Sequence, residues 1–461
     1  MPGLLKKAYG GTILNSFIDN PPFPGVTRYR YISRRESDSY PERQLKTVEI
    51  VFFVLLFGGP PRLDYRSPIA SLKGQLDAYS LFQIALWGIA GLWVLYHTFW
   101  QYRNIRGLPE LPIPHKFGVA LIVVLSIGIF ISPAPAFTAY KVFQVAVMML
   151  GALWIVRHHG ISATFRLLLI ADFSYCAVAA IATVLAPNRM LINWNSLGIT
   201  QLHGDLVVLG FAQMTACGVI LLLSLPNKSI HLGVRLFGTL LLGGLLILTA
   251  SRSAYLCVAV FCLLTLLVMP RSALTRVGAM GISISAISLS VSPLAGDVSP
   301  WILRNTDSLS TLDGRLGLWR YLVHVVFQRS PLIGTGFCAG AREYSLRYAS
   351  WSGSAHSAFV EALVGGGVAG FVLVIALWLV LGCYALMLVK MRSAFGFAAC
   401  ALLVAVLIAS NVGEGLQASP IGMTFWMLVA IIPTLYREGC CEVTFVTMSH
   451  AGRPRTNLQT P

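Results

Sequence analysis

Six polar residues stand at or beside the ends of long apolar runs: His203, Arg252, Asp313, Arg315, His356 and Glu414. Arginine stays charged and donates hydrogen bonds in pairs from a planar fork, which suits phosphate oxygens. Histidine exchanges a proton near neutral pH. Carboxylates orient such groups or cap helices. The set suits a reaction in which an anion is held while a proton moves.

The elements that must position these residues are membrane spans. Hydrophobic residues make up 56% of the 461, and charged residues 11%, against roughly 25% in a soluble domain. A span needs about 20 apolar residues. Twelve candidates run roughly over 47–60, 78–100, 117–133, 138–156, 167–186, 204–225, 232–250, 253–269, 277–293, 357–389, 394–410 and 420–436. The expected fold is an all-α polytopic membrane protein with about twelve transmembrane helices. It divides into a cytoplasmic tail at 1–46, a membrane domain at 47–436 and a cytoplasmic tail at 437–461. The long extracytoplasmic loop 294–355 belongs to the membrane domain.

Basic residues set the orientation. Eight lie in 1–46 and fourteen in the other internal segments, so 22 of 34 fall inside if both termini are cytoplasmic. This use of charge accounts for much of the net +16, and no aromatic-and-basic nucleic-acid motif accompanies it. Nucleic acid is therefore not an expected partner. With that orientation the six polar residues gather on the outer side, although only Lys and Arg in loops were used to set it. Six of the nine cysteines fall in apolar runs, where Cys acts as a small hydrophobe. The polar first 46 residues do not resemble a cleavable signal.

The loop 294–355 holds six arginines, against the trend of the short external loops. Within it Leu316, Trp319, Val323 and Val326 recur at helical spacing opposite Arg320, His324 and Gln328. That pattern predicts an amphipathic helix over 315–329, lying on the outer membrane face or capping the bundle. Pro331–Gly336 then ends it with a turn. His356 follows at the start of the next helix. The glycines at 365–367 and 370 suit close helix packing better than phosphate cradling, because no strand precedes them.

Thr249-Ala250-Ser251-Arg252-Ser253, Asp313-Gly314-Arg315 with Trp319, Pro331–Gly336, and His356 before Gly365-Gly366-Gly367 and Gly370 follow in order. This series resembles the O-antigen ligase and polymerase superfamily, bacterial membrane glycosyltransferases that are GT-C-like. The likeness covers roughly 190–415. The family often has Asn after its His, where Ser357 stands here, and a His-Pro-Asn-like stretch, where His203-Gly204-Asp205 stands.

The resemblance implies an undecaprenyl-diphosphate-linked glycan as donor, a glycan or lipid A-core as acceptor, and the outer face of the bacterial inner membrane as the place of reaction. A polysaccharide export machinery is a further partner in keeping with it. Arg315 and Arg252 would hold the diphosphate, whose charge grows as its bond to the sugar breaks. His356 would take the proton of the acceptor hydroxyl, with a helix N-terminus favouring its neutral form. Asp313, Glu414 and His203 would support them, Asp313 by orienting Arg315 or capping the helix. No external Asp-x-Asp pair would hold a divalent ion, so the expected mechanism uses neither metal nor cofactor.

Exopolysaccharide or O-antigen polymerisation fits the Thr311–Arg315 stretch slightly better than O-antigen ligation. A lipid-linked oligosaccharide flippase is the rival from another class. Lys141 and Asp172, inside spans, support it; a midplane cavity lined by both would favour transport.

Overall fold

The computed structural model describes residues 45–58, 75, 77–104, 111–194, 199–202, 210–226, 229–249, 251–268, 315–349, 353–391, 393, 395–413 and 415–451. An apolar run in hydrocarbon has no water to satisfy its backbone, so it closes its own hydrogen bonds as helix. The described chain is helical almost throughout. In order come α1 (Thr47–Gly58), α2 (Ala78–Asn104), α3 (Ile113–Ile127) with a tighter turn at Gly128–Ile131, and α4 (Pro135–Leu185). After them follow α5 (Phe211–Ser224), α6 (Leu232–Leu248), α7 (Arg252–Val268), α8 (Arg315–Arg329) and α9 (Ala339–Tyr348). The last are α10 (Ala358–Lys390), α11 (Gly396–Val412) and α12 (Pro420–Ala451).

Five of these are long and apolar enough to cross a membrane, and five shorter apolar helices accompany them. The expected span at 277–293 and the tail at 1–44 lie outside the described residues. The other expected spans fall on helices. Those at 138–156 and 167–186 are the two arms of α4, which breaks at Gly160 (φ 80°). The chain is an all-α polytopic membrane protein.

One departure from helix is a small antiparallel ribbon, β1 (Leu191–Trp194) with β2 (Ile199–Leu202), in the register Leu191 to Leu202. It follows α4 through a helical turn at Pro187–Met190.

Helix α12 is the centre of the bundle. From Ile421 to Ile432 nearly every side chain is buried, and α12 packs on α4, α10 and α11. Small residues make such packing close. On α11, Ala398, Ala401, Ala405 and Ala409 form a buried stripe, and the Cys257 thiol of α7 reaches the Ala405 carbonyl at 3.4 Å. Helices α2 and α6 form the perimeter. Leu92, Phe237 and Leu240 are exposed on them, as an apolar face toward lipid requires.

Helix α10 is broken. The sequence suggests a single long helix through 357–389, tilted or extended beyond the bilayer. Instead Gly367 has φ 63° and ψ −160°, dividing a short arm at 358–366 from a long arm at 368–390. The turn 331–336 replaces the bonds lost at the break. The Thr335 N–H donates to the Val364 carbonyl at 2.7 Å, and the Thr335 hydroxyl donates to it at 3.2 Å. The Val368 and Ala369 N–H groups donate to the Pro331 and Leu332 carbonyls at 2.8 and 3.2 Å.

Of the glycines expected to serve helix packing, Gly366 does so against Val124 and Leu125 of α3, whereas Gly365 and Gly367 seat the loop. A Cβ at Gly367 would overlap the backbone of Leu332 and Ile333, and one at Gly334 (φ 72°) would lie 2.6 Å from the Gly367 nitrogen. The arms also fold toward each other. A Cβ at Gly370 would stand 2.9 Å from the Ala362 carbonyl oxygen, whereas eight residues of unbroken helix would separate the two by about 12 Å.

Candidate functional site

A second hydrophobic cluster, distinct from the bundle core, carries the site. It joins Leu318, Leu322, Val325 and Val326 of α8 to Ala341 and Tyr344 of α9, and to Ala355 and Val364. Helix α8 spans the expected 315–329, but its buried stripe is rotated. Leu316, Trp319 and Val323 are only half-buried, while Val326 lies in the stripe as expected. The reason is the partner: α8 packs beneath α9 and against the short arm of α10, so the side turned inward is the one that meets protein. Arg320, His324 and Gln328 are exposed, as expected.

The segment before His356 is held by side chains from both loop helices. Arg342 Nε donates to the Gly353 carbonyl at 3.2 Å, Ser345 Oγ to the Ser354 carbonyl at 3.3 Å, and Trp319 Nε1 to the Ala355 carbonyl at 2.8 Å. The His356 N–H then donates to Ser354 Oγ at 3.3 Å. His356 is half-buried, with φ 50°. Ser357 is extended and caps α10, its carbonyl accepting from the Glu361 N–H at 2.8 Å. His356 thus stands just before a helix N-terminus, as the sequence suggested.

Arg315 opens α8 and is half-buried. It lies one turn, about 6 Å along the axis, from Trp319, whose indole meets the carbonyl preceding His356. Arg315 is thus one helical turn from the side chain that binds the peptide preceding His356.

Arg252 opens α7, also half-buried. The next residue, Ser253, accepts a hydrogen bond at Oγ from Gln213 Nε2 at 2.9 Å. From there packing leads toward α10. Gly210, before α5, adjoins Ile421 of α12; Phe425 of α12 packs on Trp378 at 4.8 Å with the rings tilted by 34°; and Trp378 meets Phe359 of the short arm at 6.4 Å. The starts of α5, α7, α10 and α12 are thereby linked through successive contacts. His203, Asp313 and Glu414 lie outside the described residues.

Residues 315–355 hold five arginines and one acid, Glu343. Arg347 pairs with Glu343 at 2.7 Å, and that hydrogen bond and charge hold its guanidinium above the ordinary arginine range. Arg329 and Arg347 flank the Tyr344 ring at 5.2 and 5.4 Å. Arg342 lies over Phe137 of α4 at 4.9 Å, joining the loop to the bundle. Sequence reasoning missed Ser345 and Arg342, which carried no motif signal. It counted Trp319 as a packing residue and so missed its donor.

Lys141 and Asp172 fall on different arms of α4. Lys141 Nζ lies 5.6 Å from the Phe137 ring centre, whereas Asp172 is buried against Gly218 of α5. A cavity of about 190 Å³ between α1, α2, α4 and α12 is lined by neither.

Residues 236–375 match the family model described as O-antigen ligase. This match, over less than a third of the chain, supports the resemblance to the O-antigen ligase/polymerase superfamily. A comparison with curated proteins gave no match. The matched stretch runs from α6 to the long arm of α10, so the superfamily segment contains Arg252, Arg315 and His356 together with the turn 331–336. His203 and Glu414 stand outside it. The match supports an enzyme of ligase or polymerase type acting in a membrane.

Proposed function

We propose that the protein transfers a glycan from undecaprenyl diphosphate to an acceptor hydroxyl at the outer face of the bacterial inner membrane, with both termini cytoplasmic. The observation that carries this reading is the placement of His356. It stands before a helix N-terminus, and the residue before it accepts a hydrogen bond from Trp319, one turn along the helix that begins with Arg315, within the family-matched segment.

In the proposed reaction His356 accepts the proton of the acceptor hydroxyl. The oxygen forms a bond to the anomeric carbon as the bond to the diphosphate breaks, and the configuration inverts. The electron pair leaves with the diphosphate, where Arg315 and Arg252 offset the growing charge. An aligned fork suits this task, because it needs no reorganisation as charge develops. The proposed mechanism needs no metal, since the cations are supplied by arginine. Asp313, Glu414 and His203 are proposed as supporting residues.

Within this reading we favour polymerisation of exopolysaccharide or O-antigen repeats, on the Thr311–Arg315 stretch and Trp319; ligation to lipid A-core is the alternative. Purified protein in nanodiscs, given defined lipid-linked repeats with either a second lipid-linked repeat or lipid A-core, tests both. Elongated lipid-linked product supports polymerisation, and glycosylated lipid A-core supports ligation. Absence of transfer to either would overturn the reading.

A further inference from the structure

We infer that Trp319, Ser345 and Arg342 are positioning residues for His356, which extends the reading of that histidine as the base. Three successive carbonyls, at Gly353, Ser354 and Ala355, each accept one side-chain donor, and the donors come from two helices. The next residue is His356, with φ 50° and a non-glycine side chain. Such a backbone persists only where its surroundings over-determine it. If the three carbonyls were released, φ would relax toward the common region near −60°, turning the Cα–Cβ bond by roughly 110° about N–Cα. The imidazole would then face elsewhere.

The donors differ in what else they hold. Ser345 is fully buried in α9 and reaches only one peptide away from the Trp319 bond. Arg342 braces the same segment against Phe137 of α4. Trp319 lies one turn from Arg315 on α8, so its single bond sets the imidazole relative to the proposed anion site. Bond formation at the anomeric carbon depends on both distances at once, and a shift of about 1 Å is enough to cost up to ~100-fold in rate. The clamp should therefore act on the chemical step more than on donor binding.

The test uses full-length protein in nanodiscs with three variants. Trp319→Phe keeps an aromatic ring in the cluster and removes the N–H; Ser345→Ala removes the hydroxyl; His324→Ala, on the exposed face of α8, is the control. Two measurements are made: steady-state transfer, and the rate at which diethyl pyrocarbonate modifies His356, read from the modified peptide by mass spectrometry. Trp319→Phe and Ser345→Ala are expected to lower kcat about tenfold, with donor KM within about twofold. They are also expected to change the modification rate of His356 severalfold, while His324→Ala changes neither quantity.

An unchanged modification rate in folded Trp319→Phe and Ser345→Ala would overturn the clamp, whatever transfer shows. So would kcat and KM values equal to those of the parent protein, provided that His356→Ala has lost transfer. Full transfer by His356→Ala would instead defeat the base assignment, and the modification rate would still report on the clamp.

Discussion

Phe359 and Trp378 lie nineteen residues apart on one apolar stretch, yet their rings pack with centroids 6.4 Å apart. Unbroken helix would hold those positions about 28 Å apart. The break at Gly367 folds the short arm of α10 toward the long one, so His356, just ahead of the short arm, is carried back along the bundle. The turn 331–336 makes that possible by supplying carbonyls and an N–H to the broken helix.

Gly367→Ala should damage both fold and activity. A backbone at φ 63° and ψ −160° is essentially confined to glycine and costs about 1–3 kcal/mol for a residue with a Cβ, and the new methyl would overlap the Leu332 and Ile333 backbone. A lower unfolding temperature and loss of transfer are expected. Gly382→Ala, on the long arm with open space around it, should leave both unchanged.

Arg315→Lys keeps the charge and loses the planar fork. Transfer is expected to fall about tenfold, mainly through donor KM, and Arg315→Ala about a hundredfold. Kinetics with a lipid-linked donor at several concentrations measure both effects; activity of Arg315→Ala equal to that of the parent would remove Arg315 from the site.

Thiol labelling checks the orientation. His324 is exposed on α8, and Lys390 ends the long arm of α10. A membrane-impermeant maleimide should label His324→Cys on intact spheroplasts, and Lys390→Cys only after permeabilisation. Cys176, Cys217, Cys257, Cys262 and Cys338 are buried, but Cys383 is exposed and Cys400 half-buried, so the labelling is done with all cysteines but the introduced one replaced by Ser. The reverse pattern would invert the topology.

Asp172→Asn separates transfer from transport. The residue is buried against Gly218, away from the loop cluster, and amide and carboxyl groups are nearly equal in size. Transfer by this variant should match the parent in the same nanodisc assay. Loss of activity in a normally folded Asp172→Asn would return weight to a transport mechanism.

Much of the architecture was legible because hydrocarbon leaves an apolar run few choices. The spans, the amphipathic helix at 315–329 and the position of His356 before a helix follow from local pattern. The break in α10 does not. Gly365-Gly366-Gly367 within a continuous apolar stretch reads equally well as a small-residue packing face, and the carbonyls of Pro331 and Leu332 that support the break come from more than thirty residues upstream. The rotation of the α8 stripe was hidden for a similar reason: its inward face is chosen by α9 and by the short arm of α10.

The residues themselves thus determined a membrane-embedded helical chain with its chemistry-bearing groups at helix ends, since hydropathy and basic charge act locally and need no partner to be read. Tertiary structure decided how those ends meet. The left-handed backbone of His356 and the three donors clamping the peptides before it depend on contacts between α8, α9 and the start of α10. No local propensity encodes such contacts, because each donor is useful only where packing delivers a carbonyl to it.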